Sequence, residues 1–113
     1  FKKINDTEGH SAGDKVLKRL ADLLRARLRA TDSLFRYGGE EFVIIADNTT
    51  LDQAAYLAED IRRRVEKANE LTVSIGLAEL QAGESTEAVV ARADQALYKA
   101  KQMGRNWVCF DPV

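Results

Sequence analysis

The sequence has very little cysteine, proline and histidine, and it has no long apolar segment. It contains one cysteine, Cys109, so no disulfide can form within the chain, which favours a reducing compartment. No segment approaches the roughly 20 apolar residues of a transmembrane helix, and no signal-peptide pattern is present. The 17 basic residues are balanced by 18 acidic ones, which gives no electrostatic support to nucleic-acid binding. We therefore expect a cytoplasmic domain, free or within a larger protein, that contacts neither a membrane nor a nucleic acid.

The chain does have a length and an apolar content that suit one hydrophobic core. Its 113 residues are 45% hydrophobic, which predicts a single domain over residues 1–113. The first residue is Phe1 rather than methionine, and a polar segment follows at once. This beginning indicates a fragment of a longer protein.

Helical and strand patterns alternate along the chain and predict an α/β (α+β) layered domain with a mixed sheet. The predicted order is helix, strand, strand, helix, strand, helix, strand. We expect a polar loop over 7–13, a helix that begins at Asp14, and strands at 33–37, 42–46, 71–77 and 107–110. Thr50 and Gln53 form a capping-box pattern before the second helix, and the arginine run 62–64 on that helix is interpreted as a solvated face. The last helix, over 88–103, ends before Gly104.

The most informative segment is RYGGEEF at 36–42, followed by apolar residues. The adjacent glycines predict a tight turn between two strands, and two carboxylates lie at its exit. A carboxylate in this place can bind a hard cation, and bare backbone can lie against phosphate or ribose. Taken alone, a structural hairpin with two solvated glutamates is the more common explanation.

Three further segments belong to the same pattern: FKKIND with the following GH and GD over 1–14, TVSIG at 72–76, and ADQALY through AK to GRN over 93–106. The order and the spacing of the four segments are those of one known family. Together the four resemble the GGDEF-domain diguanylate cyclases, in their GGEEF variant. The resemblance implies a fold like the palm of nucleotidyl cyclases and polymerases, with a mixed central sheet flanked by helices. It also implies a homodimer that condenses two GTP into cyclic di-GMP and two pyrophosphates.

The resemblance further implies roles for individual residues. Glu40 would bind Mg²⁺ (or Mn²⁺), which bridges triphosphate oxygens, whereas metal binding, activation of the 3′-hydroxyl and support of the turn are all open for Glu41. Asn5 and Asp14 would read guanine, because a carboxylate accepts both of its adjacent N–H donors. The other predicted GTP contacts are Phe1 through its backbone N–H, Gly38, Gly39, and the triphosphate cations Lys101 and Arg105. Glu40, Glu41, Lys101 and Arg105 make up the predicted catalytic set.

Each of these assignments has a structural alternative. Asp14 is equally suited to cap a helix, and Lys101 and Arg105 are suited to complement a helix C-terminus. Arg29 and Asp32 form an RxxD pattern, which in the family marks an inhibitory site for the product cyclic di-GMP. An ion pair between positions i and i+3 at a helix end gives the same pattern.

The sequence also departs from the family. The family has a strand before the position of Phe1, and that strand carries a second metal-binding aspartate. We therefore predict a GGDEF domain that is incomplete at its N-terminus, with its first strand missing, and little or no cyclase activity for this chain alone. The alternative is a non-catalytic module that binds cyclic di-GMP or GTP and signals through a partner.

Overall fold

In the part of the chain that the structure describes, three helices and four strands alternate in the predicted order. A computed structural model describes residues 10–68 and 71–111. The elements are α1 (His10–Arg27), β1 (Ser33–Gly38), β2 (Glu41–Ile45), α2 (Leu51–Ala68), β3 (Ile75–Leu77), α3 (Thr86–Gln102) and β4 (Val108–Phe110).

Two compact units divide the chain, with the boundary between Asn48 and Thr49. The first contains α1, β1 and β2, and the second contains α2, β3, α3 and β4. The single domain expected over 1–113 stays a prediction.

In the first unit, α1 is amphipathic, with apolar residues recurring at three- and four-residue spacing. The buried ones are Val16, Leu17, Leu20, Ala21 and Leu24. The helix begins at His10, so the loop expected up to position 13 and the helix start expected at Asp14 are both wrong. Asp14 lies inside the helix and is exposed. A glycine in a helix costs only about 1 kcal/mol relative to alanine, so Gly13 does not prevent an earlier start.

β1 and β2 pair as an antiparallel hairpin. Leu34 lies opposite Ile44, and Arg36 opposite Phe42. The register shifts between Arg36 and Gly38, so Tyr37 is an extra residue on β1. Such a bulge bends the strand and changes the direction of the turn that follows it.

In the second unit, the predicted capping box at the start of α2 is confirmed. The Gln53 backbone N–H donates to Thr50 Oγ1 at 3.2 Å, and the Thr50 N–H donates to Gln53 Oε1 at 3.0 Å. Ala58, Ile61 and Val65 form the buried stripe of α2, which contacts β3 and β4.

β3 and β4 form a parallel pair in which Gly76 lies opposite Cys109, and α3 packs on both strands. Ala96 and Ala100 are the buried residues of α3. The strand expected over 71–77 occupies only Ile75–Leu77. The apolar alternation continues upstream to Leu71, but a ladder extends only as far as its partner does, and β4 is three residues long.

The α+β class is therefore confirmed. Among the described residues, the strands pair in two ladders of two, one antiparallel and one parallel, rather than in one mixed sheet. Within the same residues, no helix is both long enough and apolar enough to cross a membrane.

Candidate functional site

The GGEE segment forms the tight turn that the sequence predicts. Gly38 and Glu41 are the closing pair of the hairpin, and Gly39 and Glu40 form its two-residue loop. Gly39 has a φ of +48°, in the left-handed region that favours glycine. All four residues are exposed, and a Cβ added at Gly38 or Gly39 would have no atom within 4 Å. The turn thus presents bare backbone and two carboxylates side by side.

Arg36 holds the turn in this form, a role that the sequence reasoning missed. Its Nε and Nη2 both donate to the carbonyl oxygen of Gly39, at 2.9 and 2.5 Å. Hydrogen bonds from a charged guanidinium are stronger than those between neutral groups, and here two of them reach the same carbonyl oxygen. The Gly39 carbonyl is therefore directed towards Arg36. The sequence feature that indicates this contact is an arginine three residues before the loop glycine.

The carboxylates of this turn fit one part of a magnesium site. Mg²⁺ prefers oxygen ligands and is commonly bound by one or two carboxylates together with substrate phosphates. Over residues 10–68 and 71–111 there is no group of three or more His, Cys, Asp or Glu side chains that could bind a metal. Glu40 is suited to be one ligand of such an ion, and Glu41 lies next to it in the turn.

Arg29 and Asp32 contact one another closely. Arg29 Nη2 lies 2.8 Å from Asp32 Oδ1, while its Nε and its backbone N–H donate to Asp32 Oδ2 at 3.2 and 2.8 Å. These hydrogen bonds lower the pKa of Asp32 and raise the pKa of Arg29. The Asp32 side chain is 1% exposed and that of Arg29 is 52% exposed. The ion pair that the spacing allowed is thus present, with both Asp32 oxygens engaged and the arginine at the surface.

A further hydrogen bond joins Arg29 to the end of the hairpin. Arg29 Nη2 also donates to the carbonyl oxygen of Asp47, at 3.0 Å. The RxxD segment therefore ties the region after α1 to the residues that follow β2.

Lys101 and Arg105 belong to the second unit, where α3 ends. The Gly104 N–H donates to the Lys101 carbonyl at 3.3 Å, and the Arg105 N–H donates to the Ala100 carbonyl at 3.2 Å. This pair of bonds is the Schellman arrangement, and it confirms the predicted helix end at Gly104, whose φ is +107°. Both cationic side chains are exposed.

The remaining predicted contacts are divided between described and undescribed residues. Asp14 is exposed on α1. Phe1 and Asn5, predicted to contact phosphate and guanine, lie outside the described residues.

Comparison of the sequence with models of known protein families identifies the family of this chain. The sequence model described as "Diguanylate cyclase, GGDEF domain" matches residues 1–107. The chain belongs to the GGDEF domain family.

Two relatives and one solved structure support the assignment of this chain to the GGDEF family. The chain is 44% identical over 117 residues to diguanylate cyclase A of Treponema denticola, covering 96% of this chain and 32% of that protein. It is 49% identical over 113 residues to diguanylate cyclase DgcM of Escherichia coli K12, covering 96% and 28%. The GGDEF domain of DgcB from Caulobacter crescentus, solved in complex with c-di-GMP, superposes with a TM-score of 0.88 at 34% identity, covering 99% of this chain and 70% of that one.

These comparisons confirm the family and the cyclase-type α+β fold that the four segments predicted. The GGDEF domain spans about a third of the length of the curated relatives that it matches.

Proposed function

We propose that the full-length protein containing this GGDEF domain is a diguanylate cyclase. It condenses two GTP into cyclic di-GMP and two pyrophosphates, as a homodimer in which each subunit presents one GTP. The observation that carries the proposal is the GGEE turn itself. It keeps both glycines and both exposed carboxylates, in a chain 44% and 49% identical to two proteins named diguanylate cyclases.

The turn residues would act at the reacting phosphate. The Glu40 carboxylate would hold Mg²⁺ (or Mn²⁺), which would supply positive charge to stabilise the triphosphate. Glu41 lies next to Glu40, at the start of β2, where it would bind the metal, support the turn or accept the proton of a 3′-hydroxyl. The Gly38–Gly39 backbone lies against the nucleotide, since no Cβ prevents the approach.

Groups outside the turn would hold the remainder of GTP. Lys101 and Arg105 donate to triphosphate oxygens, where the planar guanidinium of Arg105 is suited to a bidentate contact. Asp14 accepts from the adjacent N–H groups of guanine, which adenine lacks. Phe1 and Asn5 are proposed to complete the contacts to phosphate and base.

The experiment is a turnover assay of the full-length protein with GTP and Mg²⁺, in which nucleotides and pyrophosphate are both quantified. We expect two pyrophosphates per cyclic di-GMP, and a specific activity that rises with protein concentration as the dimer forms. If the protein binds cyclic di-GMP and releases no pyrophosphate, it is a receptor and the proposed enzyme is wrong.

We also propose that cyclic di-GMP inhibits the enzyme at Arg29 and Asp32. The Arg29 side chain is 52% exposed, so a phosphate or a guanine edge can reach it from solvent. Asp32 already accepts three hydrogen bonds from Arg29, so we expect product binding to compete with this ion pair. We expect Arg29→Ala to retain turnover and to lose inhibition by added product. Unchanged inhibition in this variant would place the inhibitory site elsewhere.

A further inference from the structure

The residues after α3 adopt an uncommon backbone conformation. Gly104, Arg105 and Asn106 have φ values of +107°, +65° and +51°, so three consecutive residues lie in the left-handed region. Glycine adopts this conformation freely and asparagine tolerates it, but a residue such as arginine does so rarely. A segment of this kind persists only where its surroundings hold it.

Two side chains of α2 hold this segment through Asn106. Arg62 Nη1 donates to Asn106 Oδ1 at 3.0 Å, and Asn106 Nδ2 donates to Glu66 Oε2 at 2.5 Å. Both ends of the Asn106 amide are therefore used. We refer to Arg62, Glu66 and Asn106 as the Asn106 clamp.

Arg62 is itself well fixed, contrary to the solvated face expected for the run 62–64. Its side chain is 17% exposed, against 73% for Arg63 and 58% for Arg64. It forms an ion pair with Glu59, to which its Nε also donates at 2.5 Å. The sequence gives no sign of this difference, because the partner Asn106 lies 44 residues away.

Arg105 is consequently fixed on both sides. Its own N–H is bound to the Ala100 carbonyl, and the next residue is bound to α2. One residue further on, the Trp107 carbonyl accepts from the Ile75 N–H at 2.9 Å and joins the segment to β3. The backbone of Arg105 thus has one orientation, while its side chain remains exposed.

We propose that the Asn106 clamp positions Arg105 to contact the triphosphate of GTP. The inference rests on the proposed function, and in particular on the assignment of Arg105 as a triphosphate cation. The clamp residues need not touch the nucleotide. They act by fixing the Arg105 backbone, so that the positions its guanidinium can reach are already restricted before GTP binds.

The test is steady-state kinetics of the full-length protein carrying Asn106→Gly. Glycine accepts the same positive φ, so this change removes the two side-chain hydrogen bonds without adding backbone strain. We expect KM for GTP to rise about tenfold, because Arg105 must then be ordered when GTP binds, while kcat stays within about threefold. The matched control is Arg63→Ala, which removes the exposed neighbouring arginine and should leave both constants unchanged.

Two further variants separate positioning from a general loss of stability. In an Arg105→Ala background, Asn106→Gly should raise KM no further, because the residue that the clamp positions is gone. Glu66→Gln keeps an oxygen acceptor for Asn106 and should remain near wild type, whereas Glu66→Ala should raise KM. If Asn106→Gly does not fold, the comparison of Glu66→Gln with Glu66→Ala still tests the inference.

The inference is overturned if KM is unchanged in Asn106→Gly, or if it rises equally with and without Arg105. It is overturned too if Arg105→Ala leaves KM unchanged, in which case the assignment of Arg105 fails with it. These results differ from the result expected if the proposed cyclase activity is wrong. In that case the wild-type protein itself would form no cyclic di-GMP.

Discussion

Gly76 provides the sharpest test of the packing in the second unit, because Gly76→Ala should separate β3 from α3. A Cβ at this position would lie 2.2 Å from the Ala93 carbonyl oxygen, 2.3 Å from the Leu97 nitrogen and 2.8 Å from the Leu97 Cα. All three atoms belong to the helix backbone, so no side-chain rotation can relieve the contact. Favourable contacts begin near about 3.5 Å, so the helix must move by more than about 1 Å.

That displacement would disturb the tightest part of the unit. Ala96 and Ala100 are 1% and 0% exposed, and they belong to the same helix as the atoms that the new methyl group would meet. Overpacking of a core typically costs about 1–3 kcal/mol, and here the obstacle is backbone. We therefore expect Gly76→Ala to lower the free energy of unfolding by at least about 3 kcal/mol, which corresponds to a fall in Tm on the order of 10 °C.

The measurement is thermal and urea unfolding of the full-length protein, with Gly38→Ala as the matched control. Gly38 has no atom within 4 Å of an added Cβ, so its substitution should change stability by less than about 1 kcal/mol. If Gly76→Ala unfolds with the wild-type Tm, β3 and α3 are not packed as described.

Two further predictions concern surface interactions of the second unit. Hydrogen bonds from Arg92 and from the Gln81 N–H lower the pKa of Glu84 to about 2. The ionised carboxylate therefore stabilises the fold at pH values above its unfolded pKa of 4.5. This stabilisation is lost as the pH falls towards 2. Unfolding of Glu84→Gln should accordingly depend less on pH below 4.5 than that of wild type, and an equal dependence would contradict the proposed pairing. Thr50→Ala removes one half of the capping box and should cost about 1 kcal/mol in urea unfolding, whereas no loss would mean that the cap contributes nothing.

Much of the fold could be predicted from the sequence, because the relevant signals are local. The order of the seven elements, the Thr50–Gln53 capping box and the helix end at Gly104 all depend on residues within one turn of each other. The start of α1 was misplaced because Gly13 and its polar neighbours have the composition of a loop. The length of β3 was overestimated because apolar alternation does not reveal how long the partner strand is.

The candidate site was predictable only in part. The exposed GGEE turn follows from its own four residues together with the family resemblance. The double hydrogen bond from Arg36 to Gly39 and the contact of Arg62 with Asn106 depend on the fold, and the three arginines of 62–64 look alike in sequence. The helix-capping alternative for Asp14 is wrong, because the helix begins four residues earlier, and its role as a guanine contact stays a prediction.

The proposed role of Glu40 is that of a metal ligand in the active site of a diguanylate cyclase. It is tested most directly by measuring cyclic di-GMP formed from GTP and Mg²⁺ by the full-length protein and by its Glu40→Gln variant, with Glu87→Gln as the control at another exposed glutamate. We predict that Glu40→Gln lowers the rate by at least about 100-fold, because loss of even an outer-shell partner of a metal ion costs about 10–100-fold. Glu87→Gln should retain the wild-type rate. Equal rates in Glu40→Gln and wild type would contradict the account.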